Sequence, residues 1–204
     1  MARMWLAILS LSLHCTLLQA GTRSPDPVDP ALLAAPTAEH LPTLLGALNG
    51  AGCVPQHSEV GDALVKIGKP AVAPLVERLN GTNKWWIQLE CVHLLGLMGT
   101  DAAEAESVLS RFLVESHHGL PQSYARASLA AVRNDPQGLV ALMQTSHSNV
   151  VKFALELLEA MGADASPVVP TLRAYAQDET NPRAARFAEF LEKYGARVSL
   201  PTGE

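Results

Sequence analysis

The chain has 204 residues, room for one or two globular domains, and sets 15 Lys and Arg against 20 Asp and Glu for a net charge of −5. No basic cluster or stripe interrupts that acidic balance, which excludes nucleic acid as a partner because nothing could neutralise a run of phosphates.

Residues 1–20 read as a secretory signal peptide: Arg3 comes early, an apolar run without a carboxylate follows, and the small Ala20 stands before Gly21. The competing reading, an uncleaved anchor, meets an apolar run that is short for a spanning helix and is broken by His14. Cys15 raises a lipoprotein, but His14 stands where a small residue is wanted. The expected compartment is therefore secreted or periplasmic, with no membrane contact after cleavage. Residues 21–38, which include Pro25, Pro27 and Pro30, read as a proline-rich linker or extended arm.

From residue 39 to 195 the chain repeats. Leu64, Leu95, Leu129, Leu158 and Leu191 form a column with steps of roughly thirty residues, the signature of stacked supersecondary units. Each leucine is followed three residues later by an apolar residue and, in four units, then by Gly68, Gly99, Gly162 or Gly195; Arg133 takes that place in the third. Val60, Cys91, Ala125, Ala154 and Phe187 lie four residues before the leucines, on the same stripe of a helix turning every ~3.6 residues. These segments read as second helices of five helical hairpins over 39–67, 70–98, 102–132, 136–161 and 165–194.

The first helices carry their own register in Pro42, Pro74 and Pro170, which sit where a helix begins and a missing N–H costs little. The glycines are expected to close the preceding helices in a left-handed conformation. Turns between paired helices are expected at 50–52, 80–83, 118–121, 146–149 and 178–182, each rich in turn formers. No sustained period-two alternation appears, so the fold class is all-α: a short α-solenoid of about five stacked hairpins, ending in a tail at 196–204.

Segments such as Ala63–Leu79 and Asn149–Gly162 resemble the HEAT-like repeats of the phycobilisome-lyase type. The resemblance covers most of the chain beyond residue 20 and departs at Arg133 and Phe187. It implies a binding scaffold; bilin lyases are a minority among such proteins and do not work outside the cell.

Two Glu-x-x-His pairs, Glu90 with His93 and Glu115 with His118, have the spacing that di-iron bundles use. Helix phase opposes a shared site: with the core stripe on Cys91, Leu95 and Met98, His93 falls nearly opposite the core, as a solvated residue, and Glu90 to one side. No metal, cofactor or catalytic residue is therefore assigned, and no phosphate loop, nucleophile elbow or metalloprotease helix is present.

Export would place Cys53 and Cys91 in an oxidising environment, where either they pair or Cys91 remains a small packing thiol; pairing needs Cα atoms within about 7 Å. Trp85 and Trp86 open a second helix, either as a rim hot spot for a partner or as a cover for the preceding long turn, with one ring left exposed. Gln88 and Lys152 join them as candidate binding residues on the second-helix face, and Asn80-Gly81-Thr82 is an acceptor sequon for glycosylation.

The function expected from these residues is an exported, non-enzymatic scaffold for a protein or peptide. The alternatives are a lyase-like or metal-dependent enzyme-associated role, or a structural envelope or matrix module. Repeat hydroxylases use His-Glu dipeptides, and only the reversed Glu39-His40 occurs here.

Overall fold

The computed structural model describes residues 28–48, 58–116 and 119–197, and the described chain is all-helical, with no strand. The signal segment, Cys53, His118 and the tail beyond Arg197 lie outside the described residues. In chain order the α-helices are α1 (Pro30–Ala34), α2 (Leu41–Ala47), α3 (Glu59–Ile67), α4 (Val72–Gly81), α5 (Trp85–Leu97), α6 (Glu106–Glu115), α7 (Gly119–Val132), α8 (Pro136–Thr145), α9 (Ser148–Met161), α10 (Val169–Gln177) and α11 (Ala184–Arg197). Short 3-10 stretches at Ala38–His40, Lys69–Ala71, Gly99–Ala105 and Gly162–Val168 lead into α2, α4, α6 and α10. Those four first helices consequently begin two to four residues later than the sequence predicts, at residues 41, 72, 106 and 169.

Local chemistry sets the boundaries. Ser58 caps α3, its Oγ accepting from Gly61 N at 3.0 Å, and Asp135 caps α8 by accepting from Gly138 N at 2.8 Å. Gly68, Gly99 and Gly162 take positive φ of 69, 55 and 58°; at Gly68 and Gly162 ψ is −139 and −127°, so they end their helices in a region open to glycine rather than in the left-handed helical one expected. In the third unit the same job passes from the absent glycine to Asn134, φ 54°, one residue beyond Arg133; Asp135 N then donates to Ala130 O at 2.8 Å. Asn is the non-glycine residue that tolerates positive φ best.

Three expectations are corrected. Gly195 does not end its helix, because α11 continues to Arg197. Residues 118–121 are not all turn: α7 begins at Gly119, with Pro121 in its first turn. The 21–38 arm contains a helix, since Asp29 accepts from Ala31 N at 2.9 Å and Pro30 fits the first helical position. Val28, Leu32 and Leu33 then pack on the core, and α1 lies against α3.

The first four hairpins pack through their second helices. Contacts link α3 with α5, α5 with α7, and α7 with α9; α9 also reaches past α7 to touch α5. Within hairpins α4 packs on α5, α6 on α7, α8 on α9 and α10 on α11. Leu64, Leu95 and Leu158 of the column are fully buried, Leu129 nearly so at 4% exposure, and Leu191 only half-buried. Close approach of α5 and α7 is set by small residues: a Cβ on Gly96 would meet Ser128 Oγ at 2.6 Å, and that hydroxyl donates to Val92 O at 2.8 Å.

Candidate functional site

Two places hold side chains that a packed helical core does not ordinarily need: the junction of α5, α7 and α9, and the tips where hairpins turn.

At the junction, His93 is 4% exposed, which overturns its expected position on the solvated side of α5. The helix phase is right; the surroundings are not those of an isolated hairpin. Because α9 bends back onto α5, the side of α5 opposite Leu95 is covered as well, and Ile87, Leu89, Val92 and Leu94 are buried with it. The His93 ring lies 4.4 Å from Phe153 and 6.3 Å from Tyr124, and Tyr124 stacks on Phe153 at 4.8 Å with 15° between planes. His93 Nε2 sits 3.7 Å from Glu156 Oε2, and Lys152 Nζ approaches the other oxygen of Glu156 at 3.8 Å. Burial first, and the Glu156 carboxylate second, push the Tyr124 hydroxyl up to about 12. Tyr124 is thus neutral at ordinary pH. The cluster has a histidine, a carboxylate and a phenol; its three rings are buried between the three helices, while Glu156 keeps a quarter of its side chain in solvent.

The other carboxylate of the predicted pairs behaves differently. Glu90 is half-buried and its Oε1 accepts from Ser58 Oγ at 3.4 Å, on the α3 side, away from the junction. Glu115 is exposed on α6 beside Arg111. Among the described residues no group of three or more His, Cys, Asp or Glu converges. Cys91 is fully buried; burial above all, with Glu90 adding, pushes its thiol up to about 12 while Arg78 pulls the other way.

The tip of the second hairpin gathers most of the predicted binding residues. Trp85 is 46% exposed; Trp86 is half-buried against the core, edge-on to Trp85 with ring centroids 5.9 Å apart. Gln88 is half-buried and its Nε2 donates to Thr82 O at 2.8 Å, so it braces the tip. Asn80 is exposed at the end of α4, and its Oδ1 accepts from Arg111 Nη2 at 2.7 Å. Lys152 is not brought to this tip: it lies one turn into α9, paired with Glu156. Lys152 is exposed on its own part of the second-helix face, apart from the tip that holds Trp85, Trp86 and Gln88.

Sequence reasoning missed Tyr124, Phe153 and Glu156 as neighbours of His93, and Val114, which is 80% exposed on α6. One signal was available for the first three. Ile87, Leu89, Val92 and Leu94 put apolar residues on every side of α5, and a helix apolar all round is buried all round.

A shallow cleft of about 270 Å³ between α1 and α3, lined by Pro30, Leu33, Ala34, Glu59, Asp62 and Lys66, offers no converging set of functional groups. No helix among the described residues is long and apolar enough to cross a membrane. No family model matches the chain, and no curated protein or solved structure matches it.

Proposed function

We propose that the chain is an exported, non-enzymatic scaffold, a HEAT-like α-solenoid, that binds a protein or peptide through the tips of its hairpins. The order of packing, each second helix on the next from α3 to α9, supports the solenoid reading. Capped ends fit it too: α1 covers α3 at one end, and α11 turns Glu189, Glu192 and Lys193 outward at the other. The rings of the His93 cluster are taken up in packing between α5, α7 and α9, which supports a structural rather than a catalytic use of that histidine.

The observation that carries the reading is the exposure of Trp85. A large aromatic side chain left nearly half in water, braced by a second tryptophan, is the arrangement of an interface anchor. The burial of His93 and its neighbours between α5 and α9 favours the tips over the second-helix face as the place of contact. Crosslinking in the native host, followed by identification of the crosslinked residues, tests this. Crosslinks should gather at the second and third hairpin tips, and replacing both Trp85 and Trp86 by Ala should weaken capture at least about tenfold, because an aromatic anchor contributes about 2 kcal/mol or more. Crosslinks confined to α8, α10 and α11, or unchanged capture by a folded double variant, would overturn the tip as the binding site.

A further inference from the structure

The second and third hairpin tips share a surface whose chemistry narrows the partner. Trp85 and Val114 are the exposed large hydrophobic side chains among the described residues, and they belong to adjacent hairpins. Both hairpins turn at the same edge, since α4 and α6 each end there and hand over to α5 and α7. The Arg111–Asn80 hydrogen bond of 2.7 Å ties the two tips together directly. Val114 is three residues beyond Arg111 on α6, on the same side of the helix and one turn nearer the tip. The Arg111–Asn80 bond thus sets the exposed end of α6, with Val114 on it, beside the end of α4, from which the chain passes to Trp85.

The charges beside these two side chains run against the rest of the molecule. The chain carries −5 overall, yet Lys84 immediately precedes Trp85 and is exposed, and Arg111 is 54% exposed between the tips. Glu115 approaches Arg111 only to 4.0 Å and is itself 69% exposed, so it neutralises Arg111 weakly. With screening over about 8 Å at physiological salt, a docked segment feels these nearby cations more than the distant acidic residues.

Resting on the scaffold reading above, we propose that this two-tip patch takes an acidic peptide segment bearing a large apolar side chain. The apolar group packs on Trp85 and Val114, and carboxylates face Lys84 and Arg111. The apolar contact supplies affinity and the two cations supply the sign preference.

The test uses the full chain and three labelled synthetic peptides in which leucine alternates with glutamate, lysine or serine, read by fluorescence anisotropy. The leucine–glutamate peptide should bind at least about tenfold more tightly than the leucine–lysine peptide, and the gap should narrow as salt rises. Lys84→Glu, a change at an exposed position, should shrink the preference, and Lys84→Glu with Arg111→Glu should invert it. Val114→Ser should weaken the glutamate and serine peptides alike. Equal binding of all three peptides, or a preference untouched by charge reversal in folded variants, would overturn the proposal. Failure here with crosslinks still centred on Trp85 would leave the scaffold reading standing; failure of both would remove them together.

Discussion

The α5–α7 pair and the α10–α11 hairpin carry the same leucine spacing, yet they are held by different means. In the middle, small residues do the work: Gly96 lets Ser128 come close enough to donate to Val92 O, and Cys91 and Ala125 are fully buried. At the end, bulk and polar ties replace close approach. Phe187 and Phe190 are buried, Tyr194 donates to Gly162 O at 2.5 Å, and Arg183 donates to Met143 O at 2.8 Å and Ser146 O at 2.6 Å. A hairpin with neighbours on both sides must fit both; among the described residues α10–α11 is tied to the hairpin before it. The register of a repeat therefore tells which residues face inward, whereas the presence of a further neighbour tells how much each is worth.

The leucine column makes the largest test of that contrast. Leu129→Ala should lower stability by about 2 to 5 kcal/mol, because the site is enclosed from both sides and relaxes little. Leu191→Ala, at a half-buried position, should cost about 1 kcal/mol. Thermal or denaturant unfolding of the pair decides; equal losses would mean that the end hairpin is packed as tightly as the middle.

His93→Ala asks whether the α5–α9 closure matters. It deletes a ring packed against Phe153 and removes the partner 3.7 Å from Glu156, so a loss of about 2 kcal/mol or more is expected. An unfolding midpoint within error of the parent protein would instead place His93 in water, as the isolated helix phase predicts.

Two glycine substitutions of opposite sign come next. Gly96→Ala should destabilise by about 1 to 3 kcal/mol, since its Cβ would lie 3.1 Å from Ser128 Cα as well as against the hydroxyl. Gly195→Ala sits within α11 with nothing within 4 Å of the new Cβ, and should stabilise by about 0.5 to 1 kcal/mol. Finding both neutral would deny that the middle and the end differ in packing.

The smallest effect is chemical. With its thiol pushed up to about 12 by burial, Cys91 should resist alkylation at pH 8 in the folded protein and react only on unfolding. Mass spectrometry of the peptide containing residue 91 reads this, and rapid native labelling would place that thiol at the surface.

Much of the local structure was legible because it depends on neighbours along the chain. Pro42 and Pro170 sit in the first turns of α2 and α10, and Gly68, Gly99 and Gly162 end the helices before them. The exceptions share one cause, which is that a neighbour supplied what the local pattern lacked. Asn134 took over the left-handed position, helped by Asp164, to which its amide donates at 3.0 Å. Gly195 stayed helical within α11, which packs on α10 and runs on to Arg197. At the candidate site, Trp85, Trp86 and Gln88 were legible from their place at a helix start. Val114 was not, because an exposed valine carries no periodic signal until its hairpin is set beside the one before.

By itself, then, the sequence determined the helices, their pairing into hairpins and the inward-facing leucines, since each follows from hydrophobic period and turn chemistry over short separations. Tertiary structure alone decided that α9 reaches α5 and buries His93, and that the second and third tips meet at Arg111 and Asn80. Those outcomes depend on the angle accumulated between successive repeats, a product of side-chain volumes at every interface, and no residue encodes it locally.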